Sequence, residues 1–466
     1  MGELPPLAST GADLRELLGL ASSALGAFVD DLEVSPATRA PLTEAHGDEL
    51  RAPPPRSPGE ARALIERCLQ AALLGPEPAG PRNFAYVPNG GLVEAAVGDL
   101  LSSVLNRYVT LRFAGPGLAA IEDGVIEWMA SLFGLPDGSG GLLTTGGSQA
   151  LLAMMVAARE RMLAMGGTLG SARLYVSDQA HHSIAKAAHV AGLPSDAVRV
   201  LPTLDGRHLD PATACAALRD DRAAGLRPFL LVASAGTTNA GSIDPIGPLA
   251  EVARRHDVWF HVDGCYGGFF ALTDRGRRKL AGMELADSIT LDPHKSLFLP
   301  FGTGALLVRD PRGLAAAHRS GPAAAYFQEV PEALRPEFAD LGVELTREAR
   351  GLRVWLPLHL HGQDAFRDAL DEKLDLASDL HRSLLRIDGL EVLEFPELTV
   401  VTARVRGDPS RTRAIVDRIN SSGQALCSST ILDHLDVLRF CVLSVRTRRH
   451  HVEQLVAVIR SAVAAE

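Results

Sequence analysis

A chain of 466 residues, 46% hydrophobic and 22% charged, has the composition of a folded globular protein with one large domain and smaller flanking ones. Its net charge of -10, with no dense basic block, argues against a nucleic-acid partner, and no apolar run is long enough to span a membrane. The five cysteines (Cys68, Cys215, Cys265, Cys427, Cys441) are scattered without a C-x-x-C, a pattern that fits neither a disulfide framework nor a zinc site, so the expectation is a cytoplasmic enzyme without a metal.

The opening "MGELPPLAST" lacks the basic-then-apolar order of a signal peptide, and Pro6 stands where a myristoylation signal wants Ser or Thr. Residues 1–78 read as a helical segment. "DLRELLGLASSALGAFVDDL" has helical apolar spacing, and "SPGEARALIERCLQAALL" starts a second helix at which Glu60 fills the capping role. From 79 to 352 strand-length and helix-length pieces alternate. The strand candidates "RLYVSD", "VRVLPT", "PFLLVASAG", "VWFHVDG", "SITLDP" and "GALLVRD" predict a mostly parallel sheet covered on both faces. Residues 353–466 change character, and "LEVLEFPELTVVTARV", "RTRAIVDRIN", "VLRFCVLSVRT" and "RHHVEQLVAVIRSAV" predict a small C-terminal α+β domain.

Ligands of open α/β sheets sit beyond the carboxyl ends of the strands. One strand end reads "LLTTGGSQALLAMM", in which Gly146, Gly147 and Ser148 precede a helix; this is a phosphate cradle or an ordinary turn with a cap. Another carries His181 and His182. A third carries Thr237 and Thr238, which either bind a ligand or cap the next turn. Asp263 follows the apolar run "VWFHV", where a buried carboxylate needs a positive partner or a donor. Finally, Lys295 interrupts "SITLDPHKSLFLPFGTGALL". A phosphate cradle, an acid and an amine on successive strand ends match the phosphate, ring nitrogen and aldehyde of pyridoxal 5′-phosphate (PLP). On this reading Lys295 forms a Schiff base with the cofactor, and burial lowers its pKa so that the free amine is available. The flat ring of His181 suits stacking on the cofactor.

The motifs "SDQAHHS", "GTTNAGSIDPI", "HVDGCYGG", "ADSITLDPHKS" and "RGLRVWLPLHLHG" stand in the order and rough spacing of the group II PLP-dependent amino acid decarboxylases, which include the aromatic-amino-acid and diaminobutyrate enzymes. The resemblance extends from "FAYVPNGGLVEAAVGDLLSSVLNRY" to "LRFCVLSVRT", about residues 80 to 450. It implies the α/β PLP-dependent transferase fold of the aspartate aminotransferase type (fold type I) and a homodimer with active sites at the interface. It also implies roles for individual residues. Lys295 carries the cofactor, Asp263 pairs with the ring nitrogen and His181 stacks on the ring. Gly147, Ser148 and His294 hold the phosphate, and Thr238 contacts another polar edge. Tyr326 in "GPAAAYFQEV" matches the loop tyrosine thought to protonate the carbanion left when carbon dioxide departs. The small-molecule substrate is then an amino acid or an amino-acid-bearing metabolite.

Several positions differ from the better-known members. Ser296 stands in place of a bulky aromatic, Cys265 in place of an alanine, and Asp292 in place of a phosphate-holding asparagine. Tyr108 and Thr110 fall where aromatic-acid enzymes line the substrate pocket with apolar groups. Two other outcomes on the same fold stay open. One is oxidative deamination to an aldehyde. The other is a further PLP reaction such as β-elimination or transamination, for which Arg347 and Arg350 are either a carboxylate grip or structural ion pairs.

Overall fold

The computed structural model describes residues 7–88, 90–319 and 335–465. Tyr326 lies outside the described residues. Three helices open the chain: α1 (Gly11–Asp31), α2 (Glu44–Leu50) and α3 (Ala61–Ala72). Thr10 closes a capping box on α1 with Asp13. Glu60 caps α3, accepting from the amides of Arg62 (3.0 Å) and Ala63 (2.7 Å), as its sequence position suggested. Helices α1 and α3 pack against each other, and neither has a buried residue.

Next come α4 (Val93–Leu105), α5 (Pro116–Leu132), β1 (Gly140–Thr144), α6 (Gly147–Ala164), β2 (Ala172–Ser177), α7 (Ser183–Val190) and β3 (Val198–Leu201). They are followed by α8 (Pro211–Ala223), β4 (Arg227–Ser234), α9 (Ile246–Arg255), β5 (Trp259–Gly264), α10 (Asp274–Lys279), β6 (Ser288–Leu291), α11 (Pro293–Ser296), β7 (Gly304–Val308) and α12 (Pro311–His318). Strands β1 to β7 form one sheet in the order β1-β7-β6-β5-β4-β2-β3. The run from β3 to β6 is parallel, and β7 is antiparallel to both β6 and β1. The carboxyl ends of β1, β2, β4, β5 and β6 therefore share one edge. Strands β2 and β6 are buried at every residue and β4 at all but its first, as a sheet covered on both faces requires. Helices α6, α7 and α12 cover one face, and α5, α9 and α13 (Gly351–Leu384) contribute to the core on the other.

Helix α13 is interrupted at Gly362, whose φ of 73° only glycine adopts readily. Beyond it, β8 (Leu390–Val392), β9 (Val400–Val405), α14 (Thr412–Ser421), β10 (Ser428–Leu432), β11 (Leu435–Cys441) and α15 (Arg449–Ala464) complete the chain. The order β10-β11-β9-β8 is antiparallel throughout. One face of this sheet shares a core with α14, α15 and the end of α13, giving the small α+β domain. Strand β10 had no signal in the sequence: its exposed and half-exposed residues carry no apolar run.

Candidate active site

A cavity of about 320 Å³ opens at the shared carboxyl edge. It is lined by the described residues expected to hold the cofactor: Gly147, Ser148, His181, Thr238, Asp263, His294 and Lys295. The strand-end rule explains the convergence. The seven residues come from the ends of five different strands, so no local pattern could have shown them all as neighbours.

Lys295 sits on the single turn α11 just after β6. Its Nζ lies 2.9 Å from Asp292 Oδ2, and 22% of its side chain is exposed, toward the cavity. Burial alone lowers the pKa of a lysine. Here Asp292, with Cys265 and Asp263, outweighs burial and raises it above the ordinary lysine range. This corrects the expectation that desolvation frees the amine: the protein by itself holds Lys295 as an ammonium.

Asp263 is the penultimate residue of β5, where Oδ1 accepts from the Cys265 amide (3.1 Å) and the Thr290 hydroxyl (3.4 Å). Nδ1 of His181 lies 2.7 Å from Ser183 Oγ and accepts the Ser183 amide at 3.3 Å. An Nδ1 that accepts an N–H leaves the ring proton on Nε2. Burial lowers the His181 pKa, only partly opposed by Asp263, so the ring is neutral. His294 Nδ1 lies 2.6 Å from the Thr303 carbonyl and donates to it, and burial also lowers the pKa of this ring.

Gly147 begins α6, and its amide donates to Asp292 Oδ1 at 2.6 Å. A Cβ at this position would collide with Cys265 Sγ and press on both Asp292 oxygens, so only glycine fits. The Ser148 amide and hydroxyl have no partner among the described residues and face the cavity at a helix N-terminus. The two threonines divide the roles left open by the sequence. Thr237 caps its own turn through the Ser242 amide (3.1 Å), whereas the Thr238 hydroxyl has no partner among the described residues.

Sequence reading missed Gln149, Ser183, Ser234 and Tyr266, which also line the cavity. Ser234 is the last residue of β4 and was discoverable by the strand-end rule; Tyr266 reaches in from a turn and was not. Arg347 and Arg350 are absent from the lining. Arg347 forms a fully buried pair with Glu122 (2.6 Å), and Arg350 binds Glu344 through two bonds (2.6 and 2.9 Å). Both are structural, which removes the carboxylate grip on which a transaminase reading relied. Tyr108 and Thr110 also lie off this chain's cavity. The Tyr108 hydroxyl donates to the Leu345 carbonyl at 2.8 Å, and Thr110 is buried with its carbonyl accepting from the Ala339 amide.

Glu33, His450 and His451 bring potential metal-ligand atoms together among the described residues. His451 Nδ1 accepts the Arg448 amide, so Nε2, the atom facing Glu33, carries a proton and has no lone pair for a metal.

The family model described as the pyridoxal-dependent decarboxylase conserved domain matches residues 54–406. The chain belongs to this family. It is a PLP-dependent amino acid decarboxylase, a carboxy-lyase of fold type I. An aromatic-L-amino-acid decarboxylase of Bacillus atrophaeus is 33% identical over 389 residues, covering 82% of this chain and 81% of that protein. A phenylacetaldehyde synthase of Arabidopsis thaliana is 29% identical, covering 82% and 81%. The crystal structure of Oryza sativa TDC with PLP and tryptamine superposes with a TM-score of 0.91 at 26% identity, covering 99% of both chains. The cavity fits the cofactor by its own chemistry. The partnerless Ser148 donors at a helix end suit a phosphate, Asp263 suits a protonated ring nitrogen, and Lys295 supplies the amine.

Proposed function

We propose that the cavity residues divide the work of decarboxylation as follows. Bound PLP supplies a protonated ring that accepts the electron pair released as carbon dioxide departs. Asp263 keeps the ring nitrogen protonated. His181 packs on the ring, held by Ser183 as the neutral Nε2–H tautomer, so that it adds no positive charge to stabilise the ground-state carboxylate. Gly147, Ser148 and His294 hold the phosphate, and Thr238 takes another polar edge of the cofactor. Lys295 carries the cofactor and gives it up to the substrate amine. Tyr326 delivers the proton that replaces the carboxylate. The observation that carries this reading is the convergence of Lys295, Asp263, His181 and the α6 N-terminus on one cavity.

The working unit in this reading is a homodimer. Helices α1 and α3 have no core of their own, and one stripe of α4 exposes Val93, Val97, Leu101 and Val104. A second copy covers these faces, and Tyr108, exposed in its own chain, then serves the partner's cavity rather than its own. All five cysteines are unpaired, which suits the reducing cytoplasm. The substrate is an amino acid. Aromatic acids head the list because the relatives are named for them, and polar acids join it because Tyr108 brings a hydroxyl.

The test is mass spectrometry of products from the PLP-loaded protein and a panel of amino acids, incubated in air. An amine lighter than its substrate by carbon dioxide is expected. An aldehyde formed together with peroxide would instead place the chain with the oxidative enzymes, and an unchanged panel would overturn the assigned roles.

A further inference from the structure

Asp292 stands where a phosphate should be welcome. Its carboxylate is 5% exposed, with Oδ1 on the Gly147 amide at 2.6 Å and Oδ2 on the Lys295 ammonium at 2.9 Å. The His294 ring lies 3.8 Å away. One side chain therefore engages the first amide of the cradle helix and the amine that must react with the cofactor. A carboxylate at a helix N-terminus uses the same donors as a phosphate, and two anions in one small cavity repel.

We infer that Asp292 is a built-in occupant of the cofactor cradle, a positioning residue that holds the Gly147 amide and the Lys295 ammonium until PLP takes them over. The inference rests on the PLP reading of the cavity and adds a loading step to it. Loading needs Lys295 as a free amine. Its nitrogen bonds to the aldehyde carbon; two of its three ammonium protons leave with the aldehyde oxygen as water, and the third passes to solvent. Asp292 opposes this twice, by stabilising the ammonium and by repelling the arriving phosphate. In exchange, the protein without cofactor keeps a buried lysine and a helix end satisfied, at a site where unpaired groups are costly.

The experiment compares the full-length apoprotein with Asp292→Asn, which keeps the shape and removes the charge, and Asp292→Glu, which keeps the charge. Calorimetry measures binding of inorganic phosphate, and stopped-flow absorbance measures PLP uptake. Asp292→Asn is expected to bind phosphate at least about tenfold more tightly and to take up PLP at least about tenfold faster, the effect of removing one nearby like charge. Asp292→Glu is expected to stay within about threefold of wild type. Thermal unfolding checks that each variant folds, and Asp292→Ser replaces Asp292→Asn if that variant does not. A wild type that loads normally beside an uncharged variant that gains nothing in either assay overturns the proposal alone. A wild type that takes up no PLP overturns the reading beneath it.

Discussion

Strands β2, β4 and β6 bury nearly every residue they own, whereas α1 and α3 bury none, although both regions are rich in apolar side chains. The sheet satisfies itself: neighbouring strands take its backbone groups and helices from the same chain cover both faces. The N-terminal helices have the apolar spacing of packed helices, yet packing on each other leaves no residue of either buried. Periodicity thus tells which face of an element wants cover but not which molecule supplies it. The cavity lies in the self-sufficient region, and the apolar surfaces left uncovered lie outside it.

Four variants break or sharpen this contrast. The largest effect belongs to the sheet side. Lys295→Ala is expected to lower decarboxylation by about 10⁴-fold while leaving the fold intact, which steady-state amine formation and circular dichroism would check together. Arg347→Met strikes the structure beneath the cavity by stranding Glu122 in the core. A loss of about 3–5 kcal/mol in urea unfolding is expected, and a near-neutral result would show that the pair is not what holds β1 against α5.

The third change addresses the uncovered side. Val97→Asp with Leu101→Asp places two charges on the exposed stripe of α4. It should weaken self-association by about 2 kcal/mol or more, read by sedimentation, with little change in unfolding of the sheet. An unaltered dimer would mean that another surface joins the copies.

The smallest effect lies where the two sheets meet. His208 Nε2 sits 2.7 Å from Glu397, and Nδ1 faces Asp205. The bond to Glu397, aided by Asp205, raises the pKa of His208 from 6.5 to about 9 despite partial burial. A raised histidine pKa stabilises the fold fully below the unfolded value of 6.5, and the contribution is lost as pH rises through about 9. His208→Gln should therefore lower stability by about 1 kcal/mol at pH 6 and by almost nothing at pH 10. An equal loss at both pH values would assign the effect to packing.

The legible part of the site was the part carried by strand ends. Asp263 directly follows an apolar run, Lys295 interrupts one, and Gly147 and Ser148 open a helix, so residue type and position sufficed. Arg347 and Arg350 were ambiguous because a guanidinium next to a glutamate reads alike in a pocket and in a core; only burial, against Glu122 for Arg347 and on Glu344 for Arg350, separated the two. Tyr108 and Thr110 matched pocket positions by resemblance, yet within one chain they pack beside residues 339–345. Strand β10 escaped because an edge strand with half-exposed residues has no apolar alternation to detect.

By itself the sequence determined the mostly parallel sheet, the small C-terminal domain, the cofactor chemistry and the candidates to carry it. Apolar runs, helix starts and ionisable side chains at strand ends are local features, and local features are written in order along the chain. Only the tertiary structure decided the state of those residues. Burial argued for a free amine at Lys295, but the carboxylate three residues earlier turns back onto it and onto Gly147, which lies 145 positions away in the chain. Electrostatic energy depends on distance through space, and that distance is set by packing.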